Sequence, residues 1–346
     1  MRALRLPGPG RPPALTEIDR PEPRGREVLI RVTAAGLCQS DLHVIDGSPG
    51  FPAPFTLGHE VAGRVAAGAG LAPDEPVVVY GPWGCGRCDR CLAGRDNYCD
   101  RRATLSWAGV GLGRDGGMAD YLLVPSADYL VPIGELDPAE AAPLTDAGLT
   151  SYHAIQRCRA ALRDGTTVVV IGVGGLGHVA VQLLRALTPS RVIAVDVRAE
   201  ALALAARCGA HLTLGASPDT DREVRTASGG PGADAVLDFA GTDATLELAA
   251  RTLRADGDLV VVGSGGGSLT VRKPGALPAG VRVSLPFWGT RDELAEVVAL
   301  ARAGAVRVEV ERFPLTAAGE AIARLRAGTV AGRAVLIPGP PVGGAP

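Results

Sequence analysis

The sequence predicts a two-domain α/β protein: a compact β-rich lobe whose loops carry metal-ligating side chains, then a doubly wound parallel sheet. Three observations carry this expectation. Short apolar runs separated by glycine and proline fill the first third of the chain, the pattern of short strands joined by loops. The continuous apolar run Thr167-Val168-Val169-Val170-Ile171 then changes the period and suits a strand buried on both faces of a parallel sheet. From there strand and helix patterns alternate, as a doubly wound sheet requires.

With 346 residues, 47% hydrophobic and 21% charged, the chain is long enough for two domains with cores and has the composition of an ordinary soluble globular protein. Its formal net charge of −2, from 35 basic and 37 acidic residues, leaves no electrostatic footprint for nucleic acid or an anionic membrane surface. Met1-Arg2-Ala3-Leu4 does not open a signal peptide, and no apolar run reaches the roughly 18 residues of a transmembrane helix, so a cytoplasmic location is expected. The seven cysteines are then expected to be metal ligands or thiols.

In the first 25 residues, Pro12-Pro13 and Pro21-Glu22-Pro23 favour edge strands and turns over helix. Val28 to Ala34 alternates like a half-buried strand and runs into Gly36-Leu37-Cys38-Gln39-Ser40-Asp41-Leu42-His43, which sets Cys38 just past a strand end. Val61 to Val65 and Val77 to Tyr80 read as further short strands. Cys85, Cys88, Cys91 and Cys99 follow with Cys-x2-Cys-x2-Cys-x7-Cys spacing, which can close around one tetrahedral ion. An iron–sulfur cluster is the competing reading, but ferredoxin-type runs have a shorter final spacing and a proline where this chain has Asp100. Four thiolates leave no open position, so zinc held here is expected to be structural. A strand is expected from Ala119 to Val124. Asp137-Pro138-Ala139-Glu140 then reads as a capped helix start, and the helical stretch Leu144 to His153 is expected to lead into the second lobe.

Gly172-Val173-Gly174-Gly175-Leu176-Gly177 follows the buried strand and precedes a helix from about His178 to Leu187, the context a dinucleotide-binding loop requires. Gly172 is expected to allow the turn, Gly174 the approach of backbone to a pyrophosphate, and Gly177 the helix–strand contact, while Gly175 and Leu176 complete the loop. The helix N-terminus supplies amide donors for the phosphates. The strand Arg191 to Asp196 ends in an acid placed to meet the adenosine ribose, which favours NAD over NADP, and Arg198 softens that preference. Further helices are expected near 199–207, 220–227 and 244–253, with strands near 211–214, 235–238, 259–262 and 281–285. Helices near 291–303 and 317–327 and a strand at 333–337 are expected to fold back on the first lobe.

A catalytic metal needs three protein ligands and one open position. Cys38 and His59, the latter within Gly58-His59-Glu60, are candidates for the first two. Alone, His59 would read as a satisfied loop histidine.

Taken together, Gly36-Leu37-Cys38, Gly58-His59-Glu60, the four-cysteine lobe and Gly172 to Gly177 make the chain resemble the medium-chain zinc-dependent alcohol dehydrogenases over nearly its whole length. Pro143 to Thr150 and Gly332-Arg333 further resemble the bacterial branch acting on secondary alcohols and ketones. The resemblance implies a GroES-like catalytic domain over 1–147 with a structural zinc lobe at 81–102. A Rossmann NAD-binding domain over 148–287 and a return to the catalytic domain over 288–346 complete it. Two zinc ions per chain and NAD(H) are implied.

Residue by residue, Asp146 would be the third catalytic zinc ligand, a departure from the cysteine of many relatives that carboxylate chemistry permits. The alternative is that Asp146 merely caps a helix. Glu60 is similar to the family acid beside the zinc. Ser40 resembles the hydroxyl that hydrogen-bonds the substrate alcohol, and His43 the solvent-facing end of a proton relay, its alternative being an exposed loop histidine. Thr150 resembles a residue near the nicotinamide and Arg333 one that reaches the pyrophosphate. Gln39 stands where relatives often place a cation on the pyrophosphate, a second departure. Phe287-Trp288-Gly289 is either substrate wall or core; His153, His178, His211, Cys158 and Cys208 are assigned to packing or surface. The implied activity is reversible NAD-linked oxidation of an alcohol by a homodimer or homotetramer. A polyol dehydrogenase of the same superfamily is the neighbouring reading, and a non-catalytic nucleotide sensor the one from a different class.

Overall fold

Strand Val28–Leu37 is buried along nearly all its length, with only Arg31 and Thr33 partly exposed. It is central: it pairs antiparallel with Glu60–Gly68, with Tyr121–Val124 and, at its far end, with Arg333–Ile337. Among the residues described in this computed structural model (1–8, 10–68 and 72–339), seven strands make this sheet. Its main path runs Leu130–Pro132, Pro76–Val79, Glu60–Gly68, Val28–Leu37, Arg333–Ile337 and Val310–Pro314. The central strand extends to Leu37 rather than ending near Ala34, because Gly36 is held between Glu60 on one side and Val335 on the other. Strand Val310–Pro314, not anticipated from its charged and half-exposed pattern, forms by parallel pairing with Arg333–Ile337. The expected C-terminal return ends in 340–346, outside the described residues.

The described residues form two compact units. The first comprises Met1–Leu149, Gly289–Gly304 and the chain from Val308, and the second Thr150–Trp288 with Ala305–Arg307. In the second, six parallel strands lie in the order Leu212–Gly215, Arg191–Asp196, Thr167–Ile171, Ala233–Asp238, Leu253–Val261, Arg282–Ser284. Numbered along the unit this is 3-2-1-4-5-6, a doubly wound sheet whose order reverses between Thr167–Ile171 and Ala233–Asp238. Every residue of Thr167–Ile171 is buried, as its uninterrupted apolar pattern demands. Val169, Ile171, Ile193, Val195, Val236 and Leu259 share one core, and each such side chain contributes roughly 1.5–3 kcal/mol on leaving water.

Candidate metal centre and dinucleotide loop

The sheet register of the first unit sets up one cluster. Cys38 follows the end of Val28–Leu37, Glu60 begins its strand opposite Gly36, and Arg333 begins a strand whose next residue pairs with Leu37. Gly36 is what admits Glu60, since a Cβ there would lie 1.8 Å from Glu60 Oε2. Asp146 comes from elsewhere. Helix Pro138–Ala141 tightens into a 3-10 turn, Ala142–Thr145, before helix Ala147–Arg157 starts; Asp146 sits in the break at φ −125° and ψ −66°, outside both.

One donor atom each from Cys38, His59, Glu60 and Asp146 lies within 4.8 Å of the others. Asp146 Oδ2 is 3.4 Å from Cys38 Sγ and 3.7 Å from His59 Nε2. Ligands at tetrahedral zinc distances stand about 3.3–3.6 Å apart. The Arg333 guanidinium, buried behind them, donates to Glu60 Oε1, to Glu60 Oε2 at 3.0 Å and to Asp146 Oδ2 at 2.8 Å. Asp41 is wholly buried as well: Oδ2 accepts the Cys38 amide at 2.8 Å and Oδ1 lies 3.3 Å from His59 Nδ1. Thus three carboxylates and a thiol face one guanidinium and one imidazole.

The protonation equilibria register that surplus. Burial, reinforced by the Asp146 charge, pushes the Glu60 carboxyl up to about 8 although Arg333 opposes it. Burial alone would raise Asp146, but His59 and Arg333 outweigh it and hold it well below the carboxylate range. Burial alone would lower His59, yet Asp41 and Asp146 keep it well above its ordinary value. Such a set suits a divalent cation, which satisfies soft, imidazole and carboxylate donors together.

The cysteine lobe presents a second set of donors that could hold a metal ion. Cys85, Cys88, Cys91 and Cys99 are free thiols whose sulfurs lie within 4.8 Å of one another. Cys88 Sγ stands 3.4 Å from Cys91 Sγ and 3.9 Å from Cys99 Sγ, close to the ~3.8 Å edge of a tetrahedron with zinc–sulfur bonds of about 2.3 Å. Backbone amides, that of Arg87 foremost, bring the Cys85 thiol down to about 6. Burial, then Cys88, pushes Cys91 up.

In the second unit, Gly172 turns at φ +86°, and a Cβ on Gly177 would lie 2.0 Å from the Gly172 carbonyl oxygen. Gly174 is different: the nearest atom to a Cβ there is Arg198 Nη2, 3.7 Å away, so the fold itself does not require glycine. Space beside backbone at a helix N-terminus fits a pyrophosphate. Asp196 Oδ2 accepts the Val173 amide at 2.7 Å, and Oδ1 accepts the Arg198 amide at 2.9 Å. Asp238 shapes the neighbouring turn through the Ala240 and Gly241 amides, at 2.9 and 3.0 Å.

Known proteins are similar to this chain in sequence and in fold. Residues 24–135 match the alcohol dehydrogenase GroES-like domain and residues 175–303 the zinc-binding dehydrogenase family. An NAD-dependent alcohol dehydrogenase of Sulfurisphaera tokodaii is 38% identical over 98% of this chain and all of its own length. The crystal structure of the alcohol dehydrogenase from Aeropyrum pernix superposes with a TM-score of 0.89 at 36% identity, covering 98% of this chain and 100% of that one. The chain belongs to the medium-chain zinc-dependent alcohol dehydrogenase family. A D-arabinose 1-dehydrogenase (NADP(+)) of Saccharolobus solfataricus is 31% identical over 94% of this chain and 95% of its own length.

Within this alcohol dehydrogenase framework some residues take positions the sequence did not indicate. Ser40 and His43 lie on a helix, Gln39–Ile45, rather than in a loop, and the Ser40 hydroxyl is 3.8 Å from Cys38 Sγ. Arg333, expected at the pyrophosphate, has its guanidinium buried on Glu60 and Asp146. Arg198 Nε lies 3.3 Å from Asp196 Oδ1, so their charges offset one another. Thr150 lies in helix Ala147–Arg157 and is buried, as is Trp288, whereas Phe287 is exposed. His178 is buried with Nδ1 2.9 Å from the Gly174 carbonyl, so it braces the loop as well as packing. Asp41 was missed, although an acid three residues past Cys38 at a helix start is itself a capping signal. Asp238, at the end of an apolar strand, had a weaker signal.

Proposed function

We propose that the protein oxidises alcohols reversibly to ketones or aldehydes with NAD, through zinc held by Cys38, His59 and Asp146. The observation that carries this is the convergence of those three donors, from a strand end, a loop and a helix break, upon one point backed by Glu60 and Arg333. Zinc bound there supplies a Lewis acid that lowers the alcohol pKa and polarises the carbonyl. The cofactor supplies the hydride acceptor. Ser40 Oγ takes the substrate proton as it gives up its own hydroxyl proton, and His43, three residues on and so on the same helix face, delivers a proton to solvent. Arg333 holds Glu60 and orients Asp146.

The first unit is then the catalytic domain and the second the coenzyme domain, with Gly172, Gly174, Gly175, Leu176 and Gly177 around the pyrophosphate and Thr150 near the nicotinamide. Asp196 favours NAD. Cys85, Cys88, Cys91 and Cys99 hold a second, structural zinc. Asp146 within Pro143 to Thr150 supports secondary alcohols as substrates. Kinship with a D-arabinose dehydrogenase supports sugar alcohols as the second reading. An exposed sheet edge, Arg282–Ser284, with Val283 exposed within it and Leu285 exposed next to it in the chain, supports a homodimer or homotetramer. Seven free thiols support a cytoplasmic location, and among the described residues no helix is long and apolar enough to cross a membrane.

Zinc analysis combined with NADH absorbance on a panel of ketones and sugars tests the reading. The wild type should carry two zinc ions per chain and reduce ketones; Asp146→Ala should keep one and lose turnover. Full turnover by metal-poor Asp146→Ala would sink the assignment.

A further inference from the structure

Arg291 opens helix Arg291–Arg302, where aligned amide dipoles disfavour a cation and favour the neighbouring Asp292 and Glu293. Its side chain instead enters the cysteine lobe. Nη2 donates to the Cys91 carbonyl at 2.8 Å, Nε lies 3.2 Å from Asp96 Oδ2, and the guanidinium carbon sits 5.4 Å from the centre of the Tyr129 ring. The Arg291 amide donates to the Gly94 carbonyl at 3.2 Å. Asp96 is wholly buried; its Oδ1 accepts the Tyr129 hydroxyl at 3.1 Å, and its carbonyl accepts the Cys99 amide at 3.1 Å. One guanidinium therefore hydrogen-bonds the backbone of Cys91 and pairs ionically with Asp96, whose own carbonyl holds the Cys99 amide.

We infer that Arg291 is a positioning residue for the cysteine-lobe metal, a strut that ties metal retention to the docking of the helix it begins. This rests on reading the four cysteines as a metal site. Residues that orient ligands from behind govern affinity by about 10–100-fold when removed. Linkage makes the effect reciprocal: if the docked helix start favours metal binding, metal binding favours the docked helix start. Lysine keeps the charge but loses the planar fork that spans a carbonyl and a carboxylate, so it replaces arginine only in part.

The test compares the otherwise wild-type chain, Arg291→Gln, Arg291→Lys and Arg87→Gln, each also carrying Cys38→Ser and loaded with cobalt(II), so that the thiolate charge-transfer absorbance comes from the cysteine lobe. Arg87 is an exposed residue of the same lobe whose contact with Cys85 is made by its backbone amide, which glutamine keeps, so Arg87→Gln controls for loss of one positive charge. With excess chelator, Arg291→Gln should lose the band about tenfold faster than wild type or more. Arg291→Lys should fall between, and Arg87→Gln should match wild type. Hydrogen exchange at 290–294 should quicken in wild type on metal removal and be metal-independent in Arg291→Gln. Equal release rates, equal slowing by Arg87→Gln, or wild-type exchange indifferent to metal would each overturn the strut. Absence of the thiolate band in wild type would instead remove the metal reading, and the strut with it.

Discussion

Asp41 joins the two sequence-distant ligands of the candidate centre: one oxygen stands 3.3 Å from His59 Nδ1 and the other accepts the Cys38 amide at 2.8 Å. A carboxylate behind a histidine fixes which ring nitrogen faces the metal and strengthens it as a donor. Asp41→Asn keeps the size and removes the charge. Zinc affinity at this centre should fall about 10–100-fold by chelator competition, with the far-ultraviolet spectrum unchanged. Unaltered affinity would reduce the contact to packing.

Gly36 and Glu60 occupy one space. Glycine in a strand ordinarily destabilises relative to alanine, so Gly36→Ala should stabilise a strand of this kind if nothing intervened. Here the new Cβ would meet Glu60 Oε2 at 1.8 Å, and Glu60 is itself fixed by Arg333. The variant should lose ~1–3 kcal/mol in denaturant unfolding, the usual cost of overpacking. A gain in stability would show that Glu60 can leave its place freely.

Two glycines of the dinucleotide loop should separate by experiment. Gly177→Ala places a Cβ 2.0 Å from the Gly172 carbonyl and should destabilise the second unit as well as impair binding. Gly174→Ala meets nothing nearer than 3.7 Å and should keep stability within ~0.5 kcal/mol. It should nevertheless weaken NADH binding, read by fluorescence titration, by about tenfold or more, an effect of ~1.4 kcal/mol. Equal NADH affinities for Gly174→Ala and wild type would place the pyrophosphate elsewhere.

The proposed role of Asp196 in cofactor choice rests on two consequences of one charge. A 2′-phosphate would be repelled, and Arg198, whose Nε is 3.3 Å from Oδ1, is held in an ion pair. Asp196→Ser removes the repulsion and frees the arginine. The ratio of kcat/KM for NADP over NAD should rise about tenfold or more, equivalent to ~1.4 kcal/mol. No change in that ratio would assign Asp196 to shaping the loop through Val173 alone.

In metal-stripped protein the lobe thiols should alkylate in a fixed order of pH. The Arg87 amide and its neighbours bring Cys85 down to about 6 from an ordinary value of 9.0. A depressed folded value means the thiolate survives as pH falls, and its contribution to stability, complete above pH 9, is lost as pH drops through about 6. Cys85 should therefore react with iodoacetamide at half its maximal rate near pH 6, while burial keeps Cys91 protonated well above that. Mass spectrometry of the labelled peptides reads the order, and Cys91 reacting first would contradict it.

Much of the centre was legible because its signals are local. Cys38 follows a strand pattern, His59 lies in a short motif, the four cysteines fall within 15 residues, and the glycine loop is framed by its strand and helix. The alternating pattern of the second unit predicted a sheet whose order proves to be 3-2-1-4-5-6. Less legible was the helix beginning at Gln39, which is only seven residues long and packs apolar Leu42, Val44 and Ile45 inward. Short helices derive their stability from tertiary contact rather than propensity, so periodicity alone did not reveal it.

The candidate donor types, their spacing and the two kinds of domain follow from residue order, because strand period, turn chemistry and donor softness are properties of a few adjacent residues. What each charge meets is set by the folded chain. Arg333 reaches Glu60 across 273 positions and Asp146 across 187, and Arg291 reaches Cys91 across 200. Such pairings depend on sheet register and on which strands become neighbours. In a buried, low-dielectric site they set which carboxylates remain charged and which side chains are held in place.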